Sequence, residues 1–468
     1  MIVAGLIEAG LTAAGCIPSL TGTVREIVPE TFSNYLGASM SQSVTGTPVH
    51  KKTTLDSGLR ILTSSMSHTN AVSIVLLFGA GSRYESDELA GSSHLFEHLL
   101  FKGTTRRPTP ASISEVVEGV GGALNAFTDR EMTGYWCRVP RTSWKDGLDV
   151  LTDMVKDPLF REDDITREKK VVYEEIRASH DSPESRADTI LDQLLWPDQP
   201  FGRDIAGSEA SVGSISREAM LEYMATQYVP TNTVFAISGG IEHDEVVEEA
   251  ARLMEGWPDR EPIEWAPVED SMDGPVVHVE NRPLEQGHLA MALHALSASD
   301  EDRYALRLLS VTFGESMSSR LFEEVREKRG LAYAIGSSVS AYADAGALGI
   351  YGGVDPERAE EAVKVIAEEI SRLRDGITDE ELEKAKALSK GRTMLRMEES
   401  RSVAMSMGAQ ELIKGEVESI DDMLAAVDRV TGEDIKRVSN RIVNSKKLGL
   451  SIVGPFDDEE IFLKNLDI

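Results

Sequence analysis

Gly91-Ser-Ser-His94-Leu-Phe-Glu97-His98-Leu-Leu-Phe-Lys-Gly103 is an apolar run with no proline and with glycine only at its ends, a pattern that predicts a buried helix. Inside it stand His94, Glu97 and His98. Helical residues three and four apart share a face, so the three side chains point into one wedge. Two imidazoles and a carboxylate are costly to bury on an apolar helix unless something pairs them. A divalent metal does so. Zinc accepts neutral imidazole, and a catalytic zinc keeps one position open for water. A lone histidine here would read as a satisfied core residue; the His-x-x-Glu-His spacing makes the metal the stronger reading.

Working outward, residues 53–62 place a turn at Asp56-Ser57-Gly58 between two strand-like runs, a hairpin signal. Residues 72–78 form a second β run, broken by Gly79-Ala-Gly-Ser82, and the metal helix is expected to begin near Leu89. Beyond it come a proline-rich loop (106–110), a helix (111–120), and two strand-like runs within 124–139 joined around Asp129-Arg130. Apolar residues at helical spacing mark 144–155, 163–179 and 243–254, with helical segments at 191–195 and 218–228 and a strand at 234–238. Pro258, Pro262, Pro267 and Pro275, with acids between them, read as a linker over 258–275. The second half opens with β-like runs from Val276. Helices follow at 302–313, 320–329, 356–374, 379–412 and 421–426, with a last strand at 448–453. Met394, Met397, Met405 and Met407 read as a core stripe of the long helix. Hairpins followed by blocks of helices predict an α+β fold with antiparallel sheets, not a βαβ chain. The expected organisation is a weakly ordered or signal-like extension (1–50), a metal-binding domain (51–257), the linker (258–275) and a similar second domain (276–468).

The two halves resemble each other. Asp164-Ile-Thr-Arg-Glu-Lys169 is similar to Gly376-Ile-Thr-Asp-Glu-Glu381, and Phe101 meets Phe313 at the same offset. That offset carries His94, Glu97 and His98 onto Leu306, Leu309 and Ser310, so the second half would keep the packing and lose the metal. Two histidines are one ligand short of a catalytic zinc site. The helix from Asp163 offers Glu168, Glu174 and Glu175; Glu168 and Glu175 share a face two turns apart, beside Val171, Val172 and Ile176. At the same offset Glu175 falls on Ala387, so this carboxylate is missing where the histidines are missing, which favours Glu175.

The chain has 468 residues, 41% hydrophobic and 27% charged, which is a globular composition long enough for several domains. Its net charge of -31, from 79 acidic against 48 basic side chains, argues against nucleic acid and anionic membranes as partners. Such a charge suits a solvated acidic surface, a salty cytoplasm or basic peptide ligands. Cys16 and Cys137 make no disulfide framework, and a reducing, cytoplasmic location fits best. No run of 18 apolar residues is present, so no membrane-spanning segment is expected. Residues 1–20 end loosely like a lipoprotein signal at Cys16, the basis of an exported or lipid-anchored alternative, but they lack a basic start and contain Glu8; Met40 is a second candidate start.

His94-x-x-Glu97-His98, the later Glu175, Gly79-Ala-Gly-Ser-Arg83 and Leu100-Phe-Lys-Gly-Thr104 together resemble the M16 (pitrilysin/insulinase-like, inverzincin) zinc metallopeptidases. The layout is similar to the shorter subfamily that includes mitochondrial processing peptidase β subunits, over about residues 50–460. The resemblance implies Zn2+ on His94, His98 and Glu175, with Glu97 as general base and Glu168 supporting the site. Gly121-Gly-Ala-Leu-Asn-Ala-Phe-Thr128 resembles the family's edge strand beside the zinc, with Asn125 and Ala126 lining the cleft. An edge strand binds extended peptide through its main chain. Arg320-Leu-Phe-Glu-Glu-Val-Arg326-Glu-Lys-Arg-Gly330-Leu-Ala-Tyr333 resembles the family's Arg/Tyr segment, which implies that Arg326 and Tyr333 hold the substrate backbone and the oxyanion. The family fold implies two similar α+β domains per chain and two chains around a chamber. One chain carrying both zinc motif and Arg/Tyr pair points to a homodimer. The Gly-rich loop of processing-peptidase α subunits is not evident. The expectation is therefore a zinc-dependent endopeptidase acting on peptides or unfolded polypeptides, against a non-catalytic core or assembly subunit as the competing class.

Overall fold

The computed structural model describes residues 50–468. The expected extension, with Cys16 and Met40, lies outside the described residues apart from His50. In the first half, β1 (His50–Thr54), β2 (Arg60–Ser65), β3 (Ala71–Phe78), β4 (Ala123–Thr128), β5 (Thr133–Pro140) and β6 (Thr233–Gly239) form a sheet in the order β1-β2-β6-β3-β5-β4. Its helices are α1 (Ser92–Leu99), α2 (Pro110–Glu118), α3 (Trp144–Lys156), α4 (Glu162–Asp181), α5 (Pro183–Leu195), α6 (Glu209–Ser214), α7 (Arg217–Gln227) and α8 (His243–Leu253). In the second half, β7 (Val276–Asn281), β8 (Gly287–His294), β9 (Ala332–Ala341), β10 (Gly346–Val354) and β11 (Leu448–Gly454) run in the order β7-β11-β8-β10-β9. Helices α9 (Arg303–Phe313), α10 (Ala359–Arg372), α11 (Asp379–Arg396), α12 (Ser400–Lys414), α13 (Ile420–Arg429), α14 (Gly432–Ile442) and α15 (Glu460–Leu463) complete it.

Leaving β1 aside, the two sheets have one topology, β2-β6-β3-β5-β4 matching β7-β11-β8-β10-β9. The fold is α+β and duplicated, as expected. The sheets are not purely antiparallel: β2 pairs parallel with β6, and β7 with β11. In each half the last strand returns after a long helical excursion, which allows the parallel crossover that a short hairpin cannot make. The hairpin at Asp56-Ser57-Gly58 is present, with Gly58 at φ +86° closing the turn.

The repeat differs in register from the sequence match. Ile165 and Thr166 lie inside the first turns of α4, whereas Ile377 and Thr378 precede α11, with Thr378 as its N-cap. Counted from each helix start, Arg392 stands where Glu175 stands, so Ala387 is not its counterpart. Two helix expectations also change. The single helix over 379–412 is two helices, broken at Met397–Glu399. The segment around 320–329 contains a π-helical stretch, Phe322–Glu327, which includes Arg326.

The break matters because α12 crosses to the first half. Val403, Ala404 and Met407 pack with Leu62, Val75, Leu77, Val234 and Ala236 on the first sheet. At Gly408 an added Cβ would sit 2.7 Å from Leu77 Cδ1 and 3.0 Å from Ala236 Cβ, so glycine permits the close approach. The exchange is mutual: α5, from the first half, lays Ala187, Ile190, Leu191 and Leu195 on Ala290, Ala292, Ala347 and Val453 of the second sheet. Burying a side chain of this size contributes about 1.5–3 kcal/mol, so each half draws on the other for a covered sheet face. Residues 258–273 carry no helix or strand, yet Met272 is buried in the same junction. Among the described residues no helix is long and apolar enough to cross a membrane.

Candidate metal centre

Helix α1 is short, and its start is held by a buried carboxylate. Glu85 accepts the backbone N–H groups of Gly91 at 2.8 Å and Ser93 at 2.6 Å. Those are donors that a helix N-terminus leaves unpaired, and negative charge is favoured there. Burial raises the Glu85 carboxyl to about 7, against the lowering effect of those bonds. Leu95, Phe96 and Leu99 anchor the helix in the core of the first half.

On this helix His94 is 3% exposed and Glu97 6% exposed, so polar groups are buried at a site that must supply partners. Helix α4 brings up Glu168 and Glu175. Glu175 Oε2 lies 3.3 Å from His98 Nε2 and 3.7 Å from His94 Nε2. One ligand atom from each of His94, His98 and Glu175 falls within 4.8 Å of the others. His94 Nε2, His98 Nε2 and Glu175 Oε2 are all buried and none has a hydrogen-bond partner; His94 Nδ1 also lacks one. Ligands at ~2.0–2.1 Å from a tetrahedral zinc stand roughly 3.4 Å apart, so the donor set and its spacing fit that ion. Glu174 does not join the group; it is exposed and pairs with Arg177.

Glu168 supports the site from behind. Its Oε2 lies 3.3 Å from His98 Nδ1, and its Oε1 takes Lys102 Nζ at 2.8 Å. This arrangement fixes the tautomer that leaves Nε2 free for a metal. Burial opposes a charge on His98, but Glu168 and Glu175 outweigh it and raise its pKa to about 9. His94 goes the other way, pushed down to about 4 by burial and by its positive neighbour. In the metal-free protein one imidazole is therefore neutral and the other carries a proton that a metal would displace.

Glu97 is raised by burial, with Thr128 and His98 opposing. Thr128 Oγ1 donates to Glu97 Oε2 at 2.8 Å. Thr128 ends β4, an edge strand of its sheet. Thr128 shares a strand face with Ala126, which is the signal in the sequence that points to it. Asn125, on the opposite face, is exposed, and its Oδ1 accepts the Ala126 N–H at 2.8 Å. Glu85 and Lys102 were also missed, since neither falls within the metal spacing.

Arg326 and Tyr333 are brought to each other, not to the histidines. The Arg326 guanidinium lies 4.6 Å from the Phe322 ring centre and 5.6 Å from that of Tyr333. Tyr333 is 78% exposed. In the second half, Leu306, Leu309 and Ser310, onto which the sequence offset carries His94, Glu97 and His98, are buried on α9.

Residues 60–209 match the family model described as insulinase (peptidase family M16), and residues 214–389 the one described as the peptidase M16 inactive domain. A Streptomyces coelicolor protein described as an uncharacterized zinc protease is 33% identical over 417 residues, 88% of this chain and 90% of that protein. The Bacillus subtilis uncharacterized zinc protease YmxG is 32% identical over 410 residues, 86% of this chain and 98% of its own length. Among solved structures, a protease from Helicobacter pylori superposes with a TM-score of 0.83 at 23% identity, covering 87% of this chain and 100% of that one. A chain of Complex III2 from Candida albicans does so with a TM-score of 0.77 at 19% identity, covering 89% and 99%. At those identities the superpositions speak for the fold.

Proposed function

The chain belongs to the M16 (insulinase) peptidase family, and from that premise we propose that it is a zinc-dependent endopeptidase of peptides or unfolded polypeptides. One observation carries the proposal: three buried donor atoms, from His94, His98 and Glu175, converge with no hydrogen-bond partner. His94, His98 and Glu175 would hold Zn2+, which when bound acidifies water and polarises the scissile carbonyl. Glu97 takes the proton of the attacking water and passes it to the leaving amine. Burial raises its carboxyl, which suits a group that must both accept and return a proton, and Thr128 fixes its orientation. The unpaired side of β4 offers main-chain groups to an extended substrate, a mode tolerant of sequence.

Arg326 and Tyr333 supply donors to the developing oxyanion. Their contacts within the chain are with Phe322, Glu327 and each other, which supports their serving the centre of a second copy across a closed chamber, in a homodimer. The competing reading, a non-catalytic assembly subunit, draws on the match of residues 214–389 to the peptidase M16 inactive domain. The intact donor set and base favour the enzyme. The test is digestion of a random peptide library by protein of measured zinc content, read by mass spectrometry. Cleavage that is lost with chelator and restored by zinc supports the proposal; zinc-loaded protein that cleaves nothing overturns it.

A further inference from the structure

The metal-free half reaches the centre through one buried arginine. Arg83, whose side chain is 1% exposed, lies between acids from the two halves. Its Nη1 meets Glu131 in the β4–β5 turn, and its Nη2 lies 3.0 Å from Asp344 Oδ1 in the β9–β10 turn. The same Nη2 donates to the Ala266 carbonyl at 3.2 Å, and the guanidinium sits 3.9 Å from the Trp265 ring centre. Glu131 in turn accepts the Ala343 N–H at 2.9 Å and 3.1 Å from its two oxygens. Asp344 Oδ2 accepts the Val268 N–H at 2.8 Å. Next to this, Arg130 binds Tyr342 Oη at 2.9 Å, the Phe201 carbonyl at 2.9 Å, and Asp192.

Both ends of this junction are a few residues from the centre. Thr128, which holds Glu97, immediately precedes the turn that carries Arg130 and Glu131. Arg83 is two residues from Glu85, which holds the first N–H groups of α1. Backbone bonds from Ser82 and Arg83 to the carbonyls of Asp129 and Arg130, at 3.2 Å and 3.1 Å, tie these two segments together. A charge buried this deeply is retained at a cost unless its geometry is used, and breaking such a pair is felt locally. A 1 Å error in a reacting group is enough to lower turnover greatly.

We propose that Arg83, clasped between Glu131 and Asp344, is a positioning residue through which the second half's Tyr342–Asp344 turn sets the aim of Glu97 and the start of α1. This inference rests on the peptidase reading, and the two can fail separately. Wild-type protein with measured zinc is assayed first; no chelator-sensitive cleavage sinks the peptidase reading itself. Given an active wild type, Asp344→Asn is expected to lower kcat at least ~10-fold, with zinc content unchanged and KM within about twofold. Asp344→Glu, which keeps the charge, should recover most of the kcat. The control is Glu280→Gln, which breaks a partly buried ion pair between the halves, with Arg186 at 2.7 Å, at the end of the second sheet away from the β9–β10 turn. It should lower the melting temperature as much as Asp344→Asn while leaving kcat at the wild-type value. Should Asp344→Asn not fold, Tyr342→Phe removes one hydroxyl from the same junction and should lower kcat several-fold with zinc intact. Wild-type kcat in the folded junction variant, or an equal kcat loss in Glu280→Gln at equal melting temperature, overturns the inference.

Discussion

Between α1 and α4, two imidazoles and a carboxylate face one another with their nearest atoms unpaired. Between α9 and α11, at the corresponding place in the second half, Glu315 has more partners than it has oxygens. Its carboxylate takes Ser310 Oγ at 2.8 Å and stands 3.2 Å from both Arg307 Nη2 and Arg392 Nη1. Its carbonyl takes Arg392 Nη2 at 2.8 Å. One backbone topology has thus been finished in two ways. The second joint is complete from its own side chains, while the first leaves three donor atoms unpartnered, as the proposed zinc site requires. Buried polar atoms in native proteins are nearly always paired, so the unpaired ones mark where a ligand belongs.

The contrast is broken most severely by removing the proton carrier while leaving the ligands. Glu97→Gln should keep zinc at the wild-type stoichiometry and lower kcat/KM by at least ~100-fold, in the range for a lost general base. Metal analysis beside a peptide assay reads both; full activity would remove Glu97 from the role. Glu168→Gln tests the support behind the ligand. It keeps the shape but weakens the hold on His98, and zinc affinity should fall by ~10–100-fold, measured by competition with a chelator. An unchanged affinity would make Glu168 a partner of Lys102 only.

Proton linkage should separate the two halves as well. In the metal-free protein the His98 pKa is raised from 6.5 to about 9. Its contribution to stability is therefore fully present below the unfolded value and is lost as pH rises through about 9. Zinc needs the deprotonated ring, so its affinity should rise by about tenfold per pH unit through that window and level off above it. Calorimetric zinc titrations at several pH values check this, and a flat response would mean that His98 is already neutral before metal binds.

What could be read from the sequence was local. The His94, Glu97 and His98 wedge depends on one helical turn, and the hairpin at Gly58 on one dihedral angle. The duplication was visible through a few identities, but Ile165-Thr166 and Ile377-Thr378 matched by composition while sitting at different depths in their helices. The exchange of α5 and α12 was not legible, because an apolar helix face reads the same whichever sheet it covers. Met397 and Met407 were correctly placed in a core, but in the core of the other half, and exposed Met394 belongs to neither. Thr128 and Arg83 act through contacts set by tertiary packing, so their types alone carry no signal.

The smallest effect is expected at the joint that needs nothing. Arg392→Ala removes two of the contacts on Glu315, but the arginine side chain is 42% exposed and Glu315 keeps Arg307 and Ser310. Solvent screens an ion pair in that position, so the loss should be at most ~1 kcal/mol, read from denaturant midpoints. Zinc content and kcat/KM should stay at their wild-type values, because nothing at this joint is shared with α1 or α4. A fall in either would mean that the α9–α11 joint is coupled to the centre by a route other than the Tyr342–Asp344 turn, and the division of labour between the halves would have to be redrawn around α11 itself.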